Sequence, residues 1–366
     1  MNKSKSISKY KGYKGYKGYK GYKGIKSNDT TEIKKINIGI QLLRTICSFL
    51  VVVCHFYNFQ HYRIIYNKHI YYLITFFYIS FYFSYNTLAS RNISKIKERF
   101  IRMLIPYIGW PLLFYLKDKL NHYYYKRRDI YKLKNLYYQI IVGCKIYGIF
   151  WFLFNLIFLT LFFTLIIFMF KRYYMYALFI SCIIIYSFFY SNYANILIFY
   201  KYKKVPCHHS IRPNLEFFVF TFTGFYLASI RFIHKLYKCR YISIICSMIS
   251  LYVYIKYYTP FFRKVTFFYE GIIRDILVTL FFIIFSMLPF DKINNNYIYT
   301  FLNKITSYTG GIYYIHVKAG EISENYVYLI RIRSFKGCVI LYLICYSTCF
   351  LGAFILKKFH FKYLFM

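Results

Sequence analysis

Long apolar runs separated by charged breaks fill the chain from Ile36 almost to its end. Their lengths approach the roughly 20 residues that carry one helix across a hydrocarbon core. Read by apolar length and charged breaks, the pattern predicts about ten spans. They fall near 36–57, 69–89, 101–117, 149–170, 174–190, 215–230, 241–258, 272–290, 299–317 and 336–356, the ninth being polar at its start. The expected fold is therefore all-α, a polytopic membrane helix bundle. Two long linkers interrupt it, Lys117 to Gly148 and Ser191 to Asn214.

Composition strengthens this picture. Of 366 residues, 59% are hydrophobic and 25% aromatic, more apolar surface than a soluble domain buries. Residues 1–35 differ: a Lys-Gly-Tyr triplet repeats between Lys11 and Gly24, and the segment reads as a disordered basic tail. The division is a tail over 1–35, one multi-span domain over 36–358 and a short C-terminal tail over 359–366. The polar start leaves no cleavable signal peptide, so the first span reads as an uncleaved anchor.

The formal charge of +39 sits in the tail and between the apolar runs, which favours anionic headgroups and anionic ligands over nucleic acid. Arg91, Lys95, Lys97, Arg99 and Arg102 follow the second span, whereas the loop after the first holds Arg63 and Lys68. The positive-inside rule then sets the N-terminus in the cytoplasm, and an even span count returns the C-terminus there. Ten cysteines form no CxxC pair and no metal spacing, and His208-His209 has no acidic or Cys companion, so no metal site is expected.

Against this apolar background a few polar residues stand out. Arg44 and His55 lie in the first span, eleven positions apart. At about 100° per residue they share one face, about 16 Å apart along the axis. An ionisable side chain at membrane depth costs about 2.5 to 3.5 kcal/mol on insertion scales, so it marks either a packed polar pair or a ligand-facing stripe. Arg99 and Arg102, three apart at the entry of the third span, can aim two guanidinium forks at one phosphate, or simply flank the span as topology signals.

Thr309, Tyr313 and His316 share a helical face in TGGIYYIH, where neutral imidazole is the usual proton acceptor near pH 7. Trp151 in FWFLFN opens the fourth span and fits an interfacial belt as well as a ligand. Glu216, Glu270 and Asp275 begin predicted spans, and each is a candidate to orient a histidine. No P-loop, dinucleotide fingerprint, GxSxG elbow or HExxH is present.

In order along the chain, LLRTICSFLVVVCHF, KIKERFIRMLIPYIGW, FWFLFNLI and TGGIYYIH make it resemble the membrane acyltransferase-3 family. Arg44 and His55 stand at that family's Arg-x10-His spacing, and Arg99 with Arg102 at its Arg-x-x-Arg. Two positions depart from the pattern: Ser80 is followed by Phe81 where the family has Ser-Gly, and Thr309 replaces a serine.

The resemblance implies acyl transfer, often acetyl, from acyl-CoA to a carbohydrate or glycolipid hydroxyl at a plasma membrane or endomembrane. No permanently bound cofactor is implied; acyl-CoA is a co-substrate. The residues themselves offer a compatible mechanism: His55 would be the general base, Arg44 would stabilise the oxyanion or the donor's charge, and Arg99 with Arg102 would hold donor phosphates. Tyr313 and His316 would line the same cavity, shaping it or positioning His55 as part of the catalytic set, and Thr309 and Trp151 would bind substrate. The competing class is a transporter or flippase for an anionic substrate, with Arg44 as binder and His55 as proton coupler. A scaffold without catalysis is the third.

Overall fold

The computed structural model describes residues 38–51, 70–125, 136–137, 140–141, 150–187, 208–253, 267–288 and 335–358, with positions 297, 300, 301, 308 and 312. Among these residues the regular structure is helical and no strand occurs. We label the helices α1 (Ile38–Val51), α2 (Ile70–Ala89), α3 (Ile93–Tyr125), α4 (Trp151–Phe170), α5 (174–187) and α6 (His208–Ser229). There follow α7 (Phe232–Tyr237), α8 (Arg240–Val253), α9 (Phe267–Met287) and α10 (Phe335–Lys358). Apart from short α7, they fall on nine of the expected spans. One stretch among the described residues, Trp151–Ser187, is long and apolar enough by itself to cross a membrane.

Two helices outrun the apolar runs that announced them. Helix α3 starts eight residues before its span because Asn92 caps it: the Lys95 N–H donates to Asn92 Oδ1 at 3.1 Å. It also continues through Lys117, Asp118 and Lys119 to Tyr125, into the expected linker. Helix α6 likewise begins at His208, inside the second linker. Apolar length marks bilayer depth, whereas backbone hydrogen bonding carries a helix past it.

Helices α2, α4 and α6 form the centre. Phe77 meets Phe152 and Phe217, Phe81 meets Phe163, Phe163 meets both Phe218 and Phe225, and Tyr85 meets Phe225. These contacts climb together along all three helices, so the three run parallel. Helix α5 runs back: Tyr174 meets Phe225 and Phe179 meets Phe222. The reversal happens over the tight turn Lys171–Tyr173, where Lys171 has φ of 43°. At the α2–α6 crossing, a Cβ added to Gly224 would lie 2.5 Å from the Tyr78 carbonyl oxygen. Glycine is required there because the two backbones touch.

The outward faces are apolar as well. Along α3, Met103, Tyr107, Trp110 and Phe114 are buried, while Leu104, Ile105, Ile108, Leu112, Leu113 and Leu116 are exposed. Helix α8 exposes Ile242, Ile245, Met248 and Ile249, and α10 exposes Leu343, Ile344, Leu351 and Ile355. A helix apolar all round belongs in a large core or in lipid.

Candidate functional site

Arg44 lies half-buried on α1. That helix packs on two sides: the Cys47 thiol faces Thr75 of α2, and the Ser48 hydroxyl lies 3.5 Å from that of Tyr346 on α10. One turn further along α10, Phe350 meets Tyr308, whose carbonyl accepts the Ile312 N–H at 2.9 Å. Ile312 is fully buried. Successive turns of α10 thus hold the helix of Arg44 and Tyr308, the residue just before the TGGIYYIH segment. His55, Thr309, Tyr313 and His316 lie outside the described residues, as do both tails.

Arg99 and Arg102 have different surroundings. Arg99 turns inward, donating from Nη2 to Ser80 Oγ at 3.0 Å, with its guanidinium 6.0 Å from the Phe81 ring. Its Nε–H is buried without a hydrogen-bond partner. Burial pushes the guanidinium down to about 10, far enough above neutral pH that it stays a cation. Arg102 points outward and pairs with Glu98 one turn earlier. The serine that departs from the family pattern in its following residue is therefore the inner arginine's partner.

Trp151 stacks on Phe217 at 5.7 Å with an interplanar angle of 18°. Arg99 sits beside Phe81, which meets Phe163, twelve residues along α4 from Trp151. The tryptophan and the inner arginine are thus separated by about 18 Å along the bundle.

Two buried polar groups, Asn155 and Tyr78, escaped assignment from sequence, and a third, Asp275, was a candidate to orient a histidine. Asn155 on α4 is 0% exposed, and neither its amide nitrogen nor its oxygen has a hydrogen-bond partner. Its helical phase lies between Trp151 and Phe152, towards α2 and α6. A lone amide inside an apolar run was the available signal. Asp275 on α9 accepts a 2.7 Å hydrogen bond from Thr223 of α6, and its other oxygen is buried and unpartnered. The Tyr78 hydroxyl of α2 faces Thr279 and Asp275 without reaching hydrogen-bond geometry to either. Asp275 thus serves the α2–α6–α9 junction. The side chains of Glu216 and Glu270 lie outside the described residues.

Among the described residues no group of three His, Cys, Asp or Glu side chains forms a metal cage. Comparison with curated proteins finds no match, and comparison with solved structures finds none. The family model described as the acyltransferase domain matches residues 37–358. That match takes in nearly the whole helical chain, Arg44 and Arg99 included, and the chain belongs to the acyltransferase-3 family, as an acyltransferase.

Proposed function

We propose that the protein is a multi-pass membrane O-acyltransferase that moves an acyl group, acetyl in the simplest case, from acyl-CoA to a carbohydrate hydroxyl. The family match over residues 37–358 carries this reading. The membrane setting is supported by helices that are apolar on both faces, since water would penalise the aliphatic stripe of α3. Orientation is supported by parallel α2, α4 and α6, which an up-and-down bundle requires of alternate spans. Their common C-terminal end, rich in Lys and Arg, is then the cytoplasmic one, as is the N-terminus.

In the proposed reaction, His55 accepts the proton as the acceptor hydroxyl attacks the thioester carbonyl, a contribution of about 10² to 10⁴-fold. The carbon–sulfur bond then breaks and the departing thiolate recovers that proton from His55, so no net proton is consumed. Arg44 stabilises the oxyanion or the donor's charge. Arg99, held by Ser80, offers its cation to the donor phosphates from inside the mouth, and Arg102 does so from the rim. Trp151 gives the sugar an aromatic face, and Thr309, Tyr313 and His316 complete the cavity wall.

His55→Ala abolishes acetyl transfer by protein purified in detergent micelles while expression and insertion persist. Turnover retained by that variant removes His55 as the base. Micelles hold no gradient, so transfer there also separates catalysis from anionic-substrate transport.

A further inference from the structure

We propose that the end of the bundle where α2, α4 and α6 terminate docks on anionic phospholipid headgroups, with Arg91, Lys171 and Arg231 as fixed phosphate contacts. This rests on the membrane setting proposed above and is independent of the acyl-transfer step.

Among the described residues, these are the three non-glycine residues with positive φ, at 53°, 43° and 53°. Glycine adopts that conformation without strain, whereas a side chain crowds its own backbone. Each position instead carries a cation. Each also lies one or two residues past the end of one of three parallel helices, so three separate stretches of sequence bring a positive-φ cation to one end. Helix C-termini favour cations, which lowers the cost of placing them there.

The surroundings match a headgroup layer. Lys171, Arg172, Arg231, Lys235 and Lys238 are exposed, and the one acid of the α2–α3 corner, Glu98, is engaged by Arg102. Arg91 keeps its Nε–H buried without a hydrogen-bond partner. Arg240 lies 4.8 Å over the Tyr241 ring and 5.5 Å from that of Tyr237, and Tyr173 and Tyr241 are largely exposed. Tyrosines beside cations are the usual furnishing of the level where headgroups meet hydrocarbon. Lipid phosphates meet that arrangement in the plane of the bilayer, and each cation near such a surface strengthens attraction about fivefold.

The test uses the full chain in zwitterionic detergent micelles doped with phosphatidylcholine or phosphatidylserine, counting retained lipids by native mass spectrometry. Phosphatidylserine should be retained in preference. The triple variant Arg91→Gly, Lys171→Gly, Arg231→Gly should lower its affinity about 10- to 100-fold, leaving phosphatidylcholine retention and monodispersity unchanged. If the glycine variant aggregates, the triple glutamine variant gives the same readout with side-chain length kept. An unchanged phosphatidylserine preference overturns the proposal. So does its loss to millimolar coenzyme A, which would assign the cations to a soluble phosphate ligand. Purification of the chain without detergent would instead fail the membrane setting, whatever lipid it retained.

Discussion

The inner faces of α2, α4 and α6 meet through rings and one backbone contact, whereas the outer face of α3 from Leu104 to Leu116 exposes only aliphatic side chains. Both regions are strongly apolar in sequence. They differ in what they tolerate. The inner faces hold Ser84, Asn155, Thr160 and Thr221, polar groups that find carbonyls along their own helices or, for Asn155, find none. Helix α3 keeps such groups off its outer face, as the proposed contact with hydrocarbon requires, where an unsatisfied polar atom costs several kcal/mol. The bundle is thus sorted by chemistry rather than by hydrophobicity.

The sharpest way to break this contrast is Gly224→Leu. A branched side chain pressed against the Tyr78 backbone must separate α2 from α6, at about 3 kcal/mol or more. The folded chain should be lost from size-exclusion profiles, and a monodisperse variant would disprove the close crossing. Next comes Leu112→Lys on the outer face. Against hydrocarbon it costs about 2.5 to 3.5 kcal/mol on insertion scales, while an ordinary water-facing site changes by about 0.5 kcal/mol. Glycosylation mapping of the third span reads the difference, and undiminished insertion would mean that α3 faces water.

Asn155→Leu has the opposite sign. Replacing an unpartnered buried amide by a side chain of similar volume should stabilise the protein by about 1 to 2 kcal/mol in thermal unfolding. A drop would reveal a partner for the amide. The smallest effect belongs to Arg102→Gln, which removes an exposed pair to Glu98 worth under about 0.5 kcal/mol. A stability loss of several times that would move Arg102 into the interior beside Arg99.

Much of this was legible from the chain. Helix positions followed from apolar length, and the family from four short motifs in order. Inside and outside were not, because Phe77 and Leu112 are equally hydrophobic and differ only in their neighbours. The sequence spacing of Arg99 and Arg102 left a shared phosphate and a pair of topology signals both open, and did not show that Arg99 meets Ser80 inside while Arg102 meets Glu98 outside, a 60° difference in helical phase with a large consequence for burial. Asn92 has the residue type of a cap for α3, but it lies outside the apolar run and so leaves no mark on apolar length. Gly224 could not be told from any other glycine until the crossing with Tyr78 was visible.

Parallel α2 and α6 also order the assembly in time. During synthesis, Phe77 cannot meet Phe217 until every residue between them has left the ribosome. Until then, Tyr78, Ser84 and Asn155 have no α6 beside them. Maturation of this protein therefore hinges on its sixth helix, and a nascent chain stalled before Phe217 should remain protease-sensitive however well its earlier helices have inserted.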